Sequence, residues 1–330
     1  MRKALVTGGC GFIGANLVRE LVTDGWQVDV VDDMSSGTLD SLRDLKVKAI
    51  PVDLIQQWEL SGNRKEIDAI VIEGDLASPH MLKRIKSKAY NVVFHQAAIP
   101  RVLFSVENPS LTTNVNVLST TKLLEACIDS VDRVVFASSS SVYGGADILP
   151  TPETHPKDPK SPYAWQKSTI EDLARIFSNL YGLDIVCLRY FNVFGPGQLG
   201  GSAYSTAVSA WCDAVSSGTP LRSDGDGSQS RDMCYVGNTI QANMLAANSS
   251  LKFEGDVFNI ACGDQTSNKE ILDYFKSKFP DISITEAPWR KGDVMHTKAD
   301  ITKAKEVLGY EPAVRFWEGL EKTLEFWNLK

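Results

Sequence analysis

The sequence predicts an α/β fold: a doubly wound, largely parallel sheet over the first two thirds of the chain, with a smaller region after it. Three observations predict this. Short apolar runs recur at residues 3–7, 28–32, 69–73, 91–95, 133–138 and 185–190. Segments with apolar residues spaced i, i+3, i+4 lie between several of them, as at 13–22, 113–127 and 163–180. A glycine-rich turn joins the first run to the first of these segments. Buried strands joined by amphipathic helices make βαβ units, which pair in parallel.

The chain has 330 residues, of which 43% are hydrophobic and 23% charged. That is enough for one large α/β domain with an appendage, or for two domains. After about Gly195 the texture changes to glycine, serine and proline, with helical stretches and one more apolar run at 257–261. Residues 54–67 exceed the length of an ordinary βα connection and predict a surface helix and loop. The net charge of −7 argues against a nucleic-acid partner, which needs clustered Lys and Arg. The amino-terminal MRKALVTGG lacks the apolar stretch of a secretory signal, and no run approaches the roughly 20 residues of a membrane span. Six cysteines without a CxxC pair read as reduced thiols, and a cytoplasmic location is expected. No metal-ligand spacing is present, and no metal is expected.

Residues 7–14 read TGGCGFIG. Gly8 permits the tight turn after the strand, Gly11 lets backbone approach a pyrophosphate, and Gly14 lets the helix pack on the strand. Phe12 and Ile13 open that helix, whose N–H groups and dipole favour phosphates. The glycine spacing is G-x-x-G-x-x-G, a variant of the standard fingerprint, so the loop alone is a moderate signal; a ligand-free turn would need the same glycines. Asp32, 18 residues beyond Gly14, ends the second run. A carboxylate there accepts hydrogen bonds from an adenosine ribose diol and repels a 2′-phosphate, which selects NAD over NADP. Asp75 and Leu76 follow the third run, where they either cap the adenine or make a simple turn. The expected division is a Rossmann-type NAD-binding domain over 1–194, its sheet completed by segments around 234–265, and a mainly substrate-binding region over 195–330.

Residues 161–168 read SPYAWQKS. Pro162 suits a first helical turn, which places Tyr163 and Lys167 on one face at i and i+4. A free tyrosine ionises near pH 10. An adjacent ammonium and a cationic nicotinamide ring favour the phenolate; bringing it to neutral pH takes roughly 4 kcal/mol of differential interaction. The same pattern also arises by accident on amphipathic helices. Here it stands 24 residues after Ser139, within a serine cluster (SSSS, 138–141) that closes a strand. Serines at the carboxyl end of a parallel strand face the ligand crevice or form a turn.

TGGxGFIG, the acidic residue ending the second strand, HQAA at 95–98, SSSSVYG, SPYAWQK and LRYFNVFGP at 188–196 occur in order. This set resembles the extended short-chain dehydrogenase/reductase group, and within it the NAD-dependent nucleotide-sugar epimerase/dehydratase family, over nearly the whole chain. The resemblance implies Tyr163 as catalytic base, Lys167 as its partner, and Ser139, assisted by Ser140, as hydrogen-bond partner of the sugar 4-oxygen. It implies cofactor contacts from Gln96, Ala97, Ala98, Asn114 and Tyr190, with Asn114 also supporting the active-site helix. Phe191 would lie near the nicotinamide. Substrate contacts are implied for Ser105 and Asn192, and Arg231 and Arg290 would clamp a diphosphate by bidentate contacts; each arginine alone reads equally as a surface residue.

Dehydratases and decarboxylases of the family carry a carboxylate in the serine cluster (TDEVYG or TSEVYG), which this chain lacks. The resemblance therefore implies C4 epimerisation of a UDP-hexose: the 4-position is oxidised to a ketone, the sugar turns, and the ketone is reduced on its other face with the cofactor retained. Thr297, in MHTKAD, stands where UDP-galactose 4-epimerases often place a tyrosine. A small residue leaves room for an N-acetyl group, which favours UDP-GlcNAc/UDP-GalNAc or their uronic acids over UDP-glucose/UDP-galactose. The related branch reads SVPRS where this chain has RVLFS at 101–105, so Arg101 either meets a uronic carboxylate or lies on the surface. A dehydratase, a decarboxylase, a 4-keto reductase and a non-catalytic NAD(H) sensor are the alternatives. A homodimer through a four-helix interface, built from helices near 113–127 and 163–181, is also implied.

Overall fold

The computed structural model describes residues 1–61, 64–100, 102–200, 206–289 and 294–329. Two compact units share the chain. One comprises Met1–Ser138, Ser161–Leu188 and Asn243–Val257; the other comprises Ser139–Lys160, Arg189–Ala242 and Phe258–Lys330. Each unit draws on three stretches of the chain, and the main sheet includes a late strand at 256–260, within the 234–265 span from which later segments were expected.

Strands β1 (Lys3–Thr7), β2 (Gln27–Asp32), β3 (Val47–Pro51), β4 (Ala69–Glu73), β5 (Val92–His95), β6 (Arg133–Ser139) and β7 (Ile185–Tyr190) are followed by the short β8 (Val193–Phe194), β9 (Leu221–Asp224), β10 (Ser230–Arg231) and β11 (Cys234–Tyr235). Then come β12 (Asp256–Ile260), β13 (Thr266–Ser267) and β14 (Ile284–Ala287). The main sheet has the order β12-β7-β6-β5-β1-β2-β4-β3. Its pairings β1–β2, β1–β5, β2–β4, β3–β4 and β5–β6 are all parallel. The order reverses at β1, with β5 on one side and β2 on the other, and a crevice outside the strand carboxyl ends at such a switch point is where open α/β sheets bind ligands. Strand β3 has no counterpart among the expected runs. It is an edge strand with one buried residue, Ile50, so its sequence (VKAIP) carries little apolar signal.

In the first unit, helices α1 (Phe12–Thr23), α2 (Ile55–Ser61), α3 (Pro79–Lys86), α4 (Val102–Glu107), α5 (Pro109–Thr113), α6 (Thr120–Cys127) and α7 (Pro162–Tyr181) accompany the sheet, with a π-helical stretch at Asn114–Ser119 between α5 and α6. One core cluster joins Leu5, Ile70, Ile72, Val93 and Val134 of the strands to Leu123, Leu124, Ile170 and Ala174 of the helices. Burial of such side chains contributes about 1.5–3 kcal/mol each. Within the expected 54–67 segment lies α2, whose Ile55 is buried in this core with Trp58 packed against it. Asp29, buried inside β2, pairs with Arg64, Arg84 and the hydroxyl of Tyr90, and Arg84 also pairs with Glu59. An isolated buried carboxylate would be costly; these partners offset that cost and tie α2 and α3 to the sheet.

The second unit has its own core of Phe194, Trp211, Leu221, Phe275, Phe316 and Leu320. Three two-stranded sheets, β10–β13, β8–β11 and β9–β14, bring its distant segments together.

Candidate active site

In the glycine loop, Gly8 has φ +67°, and a Cβ there would lie 2.8 Å from Ala97 Cα. A Cβ on Gly14 would lie 2.1 Å from the Gly8 carbonyl oxygen. Neither position accepts a side chain. Gly9 is equally constrained, since its Cβ would meet Val30 at 2.6 Å, and the sequence pattern did not single it out. Gly11 is the N-cap of α1 and supplies no side-chain cap. The first-turn N–H groups at Phe12 and Ile13 are therefore open to an anion. Asp32 ends β2 beside this loop; its carboxylate accepts from Cys10 N at 2.9 Å and from Met34 N at 3.0 Å. Burial raises its pKa above the usual carboxylate value, despite those two bonds. A carboxylate has about four acceptor positions, so capacity remains for a ribose diol. This cradle fits a dinucleotide.

Asp75 makes a turn: its Oδ1 accepts from Ala77 N at 2.8 Å, while Leu76 is buried in the core. Gln96 donates to Asn243 Oδ1 at 3.1 Å, and Ala97 N donates to Thr7 Oγ1 at 3.1 Å. Ala98 is half-buried on the same loop.

Helix α7 carries Tyr163 and Lys167 as expected, both buried. Its first turn is closed. Ser161 is the N-cap and accepts from Ala164 N at 3.2 Å; its carbonyl accepts from Trp165 N at 3.0 Å. Pro162 has no N–H, and Tyr163 N donates to Ser105 Oγ at 3.1 Å. Ser105, expected against substrate, is wholly buried, and its own proton goes to Val102 O at 2.6 Å.

Lys167 Nζ donates to Ala137 O at 2.7 Å, lies 4.8 Å from the Phe136 ring centre and 5.9 Å from that of Tyr163. Burial lowers its pKa to about 8; Cys187 and the i+4 residue Glu171 oppose the shift. The ammonium is thus still mostly protonated at neutral pH. Glu171, buried, accepts from Ser138 Oγ at 2.6 Å.

The residue that braces α7 is Asn116, not Asn114. Asn116 is buried, accepts from Ile99 N at 2.8 Å and donates to Ile99 O at 3.1 Å and Gln166 Oε1 at 2.7 Å. Gln166 Nε2 in turn donates to Thr112 and Thr113 at 2.9 and 3.1 Å. Asn114 is exposed. The two asparagines stand two apart in TNVN, inside the π-helical stretch, and residues two apart on a helix point to opposite faces, so only one of them turns inward. Beyond Asn116 the network reaches the glycine loop. Thr120 Oγ1 donates to Asn116 O at 2.7 Å, so it must accept from His95 Nε2 at 2.8 Å. His95 Nδ1 then accepts from Thr7 Oγ1 at 2.7 Å. Burial, with Lys167 nearby, lowers the pKa of His95 to about 3 and keeps it neutral.

In the second unit Ser139 has extended backbone and caps the short 3-10 turn Ser140–Tyr143, accepting from Ser141 N at 3.2 Å. Ser139 and Ser140 are half-buried. Tyr143 Oη donates to Asn259 Oδ1 at 2.7 Å and accepts from Arg189 at 2.7 Å, which fixes the end of that turn. Tyr190, at the end of β7, and Phe191 are buried. Asn192 has φ +27° and donates to Asp232 O at 3.2 Å and Thr297 Oγ1 at 3.3 Å. Thr297 Oγ1 also accepts from Asp232 N at 3.2 Å, and Arg231 donates to Ser230 O at 3.0 Å and Met295 O at 3.1 Å. Asn192, Arg231 and Thr297, the first and last of them 105 residues apart in sequence, are thereby gathered around one junction. Asp232, unnoticed in the sequence, holds that junction by accepting from the N–H groups of Cys262, Gly263 and Ala299. Arg101 and Arg290 lie outside the described residues.

A family model, the NAD dependent epimerase/dehydratase family, matches residues 4–261. The chain belongs to that family. Among relatives, UDP-glucose 4-epimerase of Mycolicibacterium smegmatis is 34% identical over 99% of this chain and 99% of its own. UDP-N-acetylglucosamine 4-epimerase of Methanobrevibacter ruminantium, solved with UDP-N-acetylmuramic acid, has TM-score 0.87 and 32% identity over 99% and 98% of the two chains. The UDP-glucose 4-epimerase of Thermus thermophilus, solved with NAD, has TM-score 0.83 and 31% identity over 99% of each. The family is NAD-dependent, in agreement with the cradle of Gly8, Gly14 and Asp32. Among the described residues no helix is long and apolar enough to cross a membrane.

Proposed function

We propose that this protein is an NAD-dependent UDP-sugar 4-epimerase that accepts N-acetylated sugars or their uronic acids. The observation that carries the epimerase reading is the buried Lys167 ammonium 5.9 Å from the Tyr163 ring, on a helix braced against the glycine-loop strand. NAD, when bound, supplies a reversible two-electron acceptor for the sugar C4. Tyr163 takes the proton of the sugar 4-hydroxyl and returns it to the inverted oxygen. Lys167 stabilises the phenolate meanwhile, and its bond to Ala137 O fixes where that charge sits. Ser139 hydrogen-bonds the 4-oxygen with help from Ser140, and Asn192, Arg231 and Arg290 anchor the diphosphate while the sugar turns.

Elimination needs a further acid and base, and the serine turn Ser139–Ser141 has neither. This favours epimerisation, although a UDP-N-acetyl-alpha-D-glucosaminuronate decarboxylase of Bacillus cytotoxicus is 30% identical to this chain. Thr297 supports the wider sugar pocket: it is small, and its hydroxyl is held by Asn192 and Asp232. Incubation with UDP-glucose, UDP-N-acetylglucosamine and both corresponding uronic acids, followed by chromatography, tests the proposal. A 4-epimer is expected, most rapidly from an N-acetylated or uronic substrate. No epimer from any of the four would overturn it, and a 4-keto-6-deoxy product or carbon dioxide would reveal a dehydratase or decarboxylase.

We also propose a cytoplasmic homodimer through α6, α7 and the stretch before them. In that region Leu103, Leu118, Trp165, Ile176 and Leu180 are exposed, Leu103 and Leu180 by about 70%. A run of exposed apolar side chains along neighbouring helices marks an interaction face.

A further inference from the structure

We infer that Ser105 is a positioning residue for Tyr163, acting through the backbone of the catalytic helix and not through the substrate. The inference rests on the epimerase reading above for its catalytic consequence, but its structural part stands independently. Ser105 is 0% exposed. Its one proton is committed to Val102 O within its own helix, at 2.6 Å. That commitment orients the hydroxyl and leaves a lone pair aimed at Tyr163 N, 3.1 Å away. A hydroxyl so engaged has no proton left for a sugar.

The bond meets α7 at the residue that bears the phenol. A helix leaves its first N–H groups without internal partners. In α7 the others are met by Ser161, whose side chain and carbonyl take Ala164 and Trp165. Only the N–H of Tyr163 is met from a distant segment, 58 residues upstream. Three residues later Gln166 is gripped by Asn116, which also holds Ile99 by two bonds. One turn of α7 is therefore held at Tyr163 directly by Ser105, and at Gln166 by Asn116, which also holds Ile99. Loss of the Ser105 staple lets the amino end of α7 tilt about the Gln166 anchor and moves the phenol relative to the groups it serves. A displacement near 1 Å can cost about 100-fold in rate without loss of binding.

The test compares Ser105→Ala and Ser105→Thr with the parent, as purified holoenzymes. For Ser105→Ala we expect kcat to fall about 10- to 100-fold with KM for the UDP-sugar unchanged. NAD content and melting temperature should stay near the parent's, and amide hydrogen exchange across 161–167 should accelerate. Ser105→Thr keeps the hydroxyl and should restore most of the rate and the slow exchange. Unchanged kcat and exchange in Ser105→Ala would overturn the inference. So would a rise in KM with parental kcat and exchange, which is the signature of a substrate contact. If the parent epimerises no UDP-sugar, the functional proposal fails instead, and exchange across 161–167 still decides whether Ser105 anchors the helix.

Discussion

Lys167 donates its ammonium to the carbonyl of Ala137, the third residue from the end of β6. The bond pins the charge of a helix residue to the strand that ends in the serine turn. It also means that moving Lys167 breaks a buried hydrogen bond to the strand.

The first prediction follows from that bond. Lys167→Met keeps the length of the stem but removes the charge, and kcat should fall by about 10²–10⁴, the range for loss of acid–base function. Tyr163→Phe should lose turnover to at least the same degree while NAD stays bound. Turnover assays beside cofactor content on denaturation check both; parental activity in either variant would sink the proton-shuttle assignment.

Gly14→Ala brings a Cβ to 2.1 Å from the Gly8 carbonyl oxygen and 2.7 Å from Gly9 Cα, both backbone atoms. The loop has to shift. We expect a loss of about 1–3 kcal/mol in stability and a purified protein depleted of NAD. Thermal melts with and without added NAD measure both effects.

His95 titrates at about 3 in the folded chain, against about 6.5 when unfolded. Between those values the unfolded state binds the extra proton, so stability is lost as the pH falls through that window. The limiting slope is about 1.4 kcal/mol per pH unit. Beyond burial, the charge of Lys167 opposes a second cation at His95. Urea unfolding of the parent and of His95→Gln at several values between pH 4 and 7 should show a shallower pH dependence in the variant; equal slopes would contradict this.

Thr297→Tyr fills the space that the small side chain leaves and also removes the hydroxyl that holds Asn192 and Asp232. Activity on UDP-N-acetylglucosamine should fall at least about tenfold more than activity on UDP-glucose, because one misplaced methylene-sized group already changes discrimination by about 10- to 200-fold. Equal losses on both substrates would show that Thr297 does not set the choice.

Leu180→Glu places a charge on the exposed apolar face of α7. Light scattering after gel filtration should give a dimer for the parent and a monomer for this variant. A parent that is already monomeric would refute the interface.

The glycine loop, the acidic end of β2 and the Tyr163–Lys167 pair were legible in the sequence because each depends on spacing within one strand, turn or helix. The same holds for α1 and α7, whose apolar period and Pro162 are local signals. Strand β3 was not legible, since an edge strand with one buried residue has no pattern to read. Which asparagine braces α7 was decided by which face of its helix packs inward, and that depends on tertiary packing while the motif TNVN offers both. The partners of Ser105, Glu171, His95 and Asp232 were decided by tertiary structure alone. A buried polar side chain must find its hydrogen-bond partner wherever the fold brings one, and here Ser105 meets Tyr163 across 58 residues and His95 meets Thr7 across 88. The sequence by itself therefore determined which groups the candidate site offers, because their spacing is local, while the fold determined what holds each of them still.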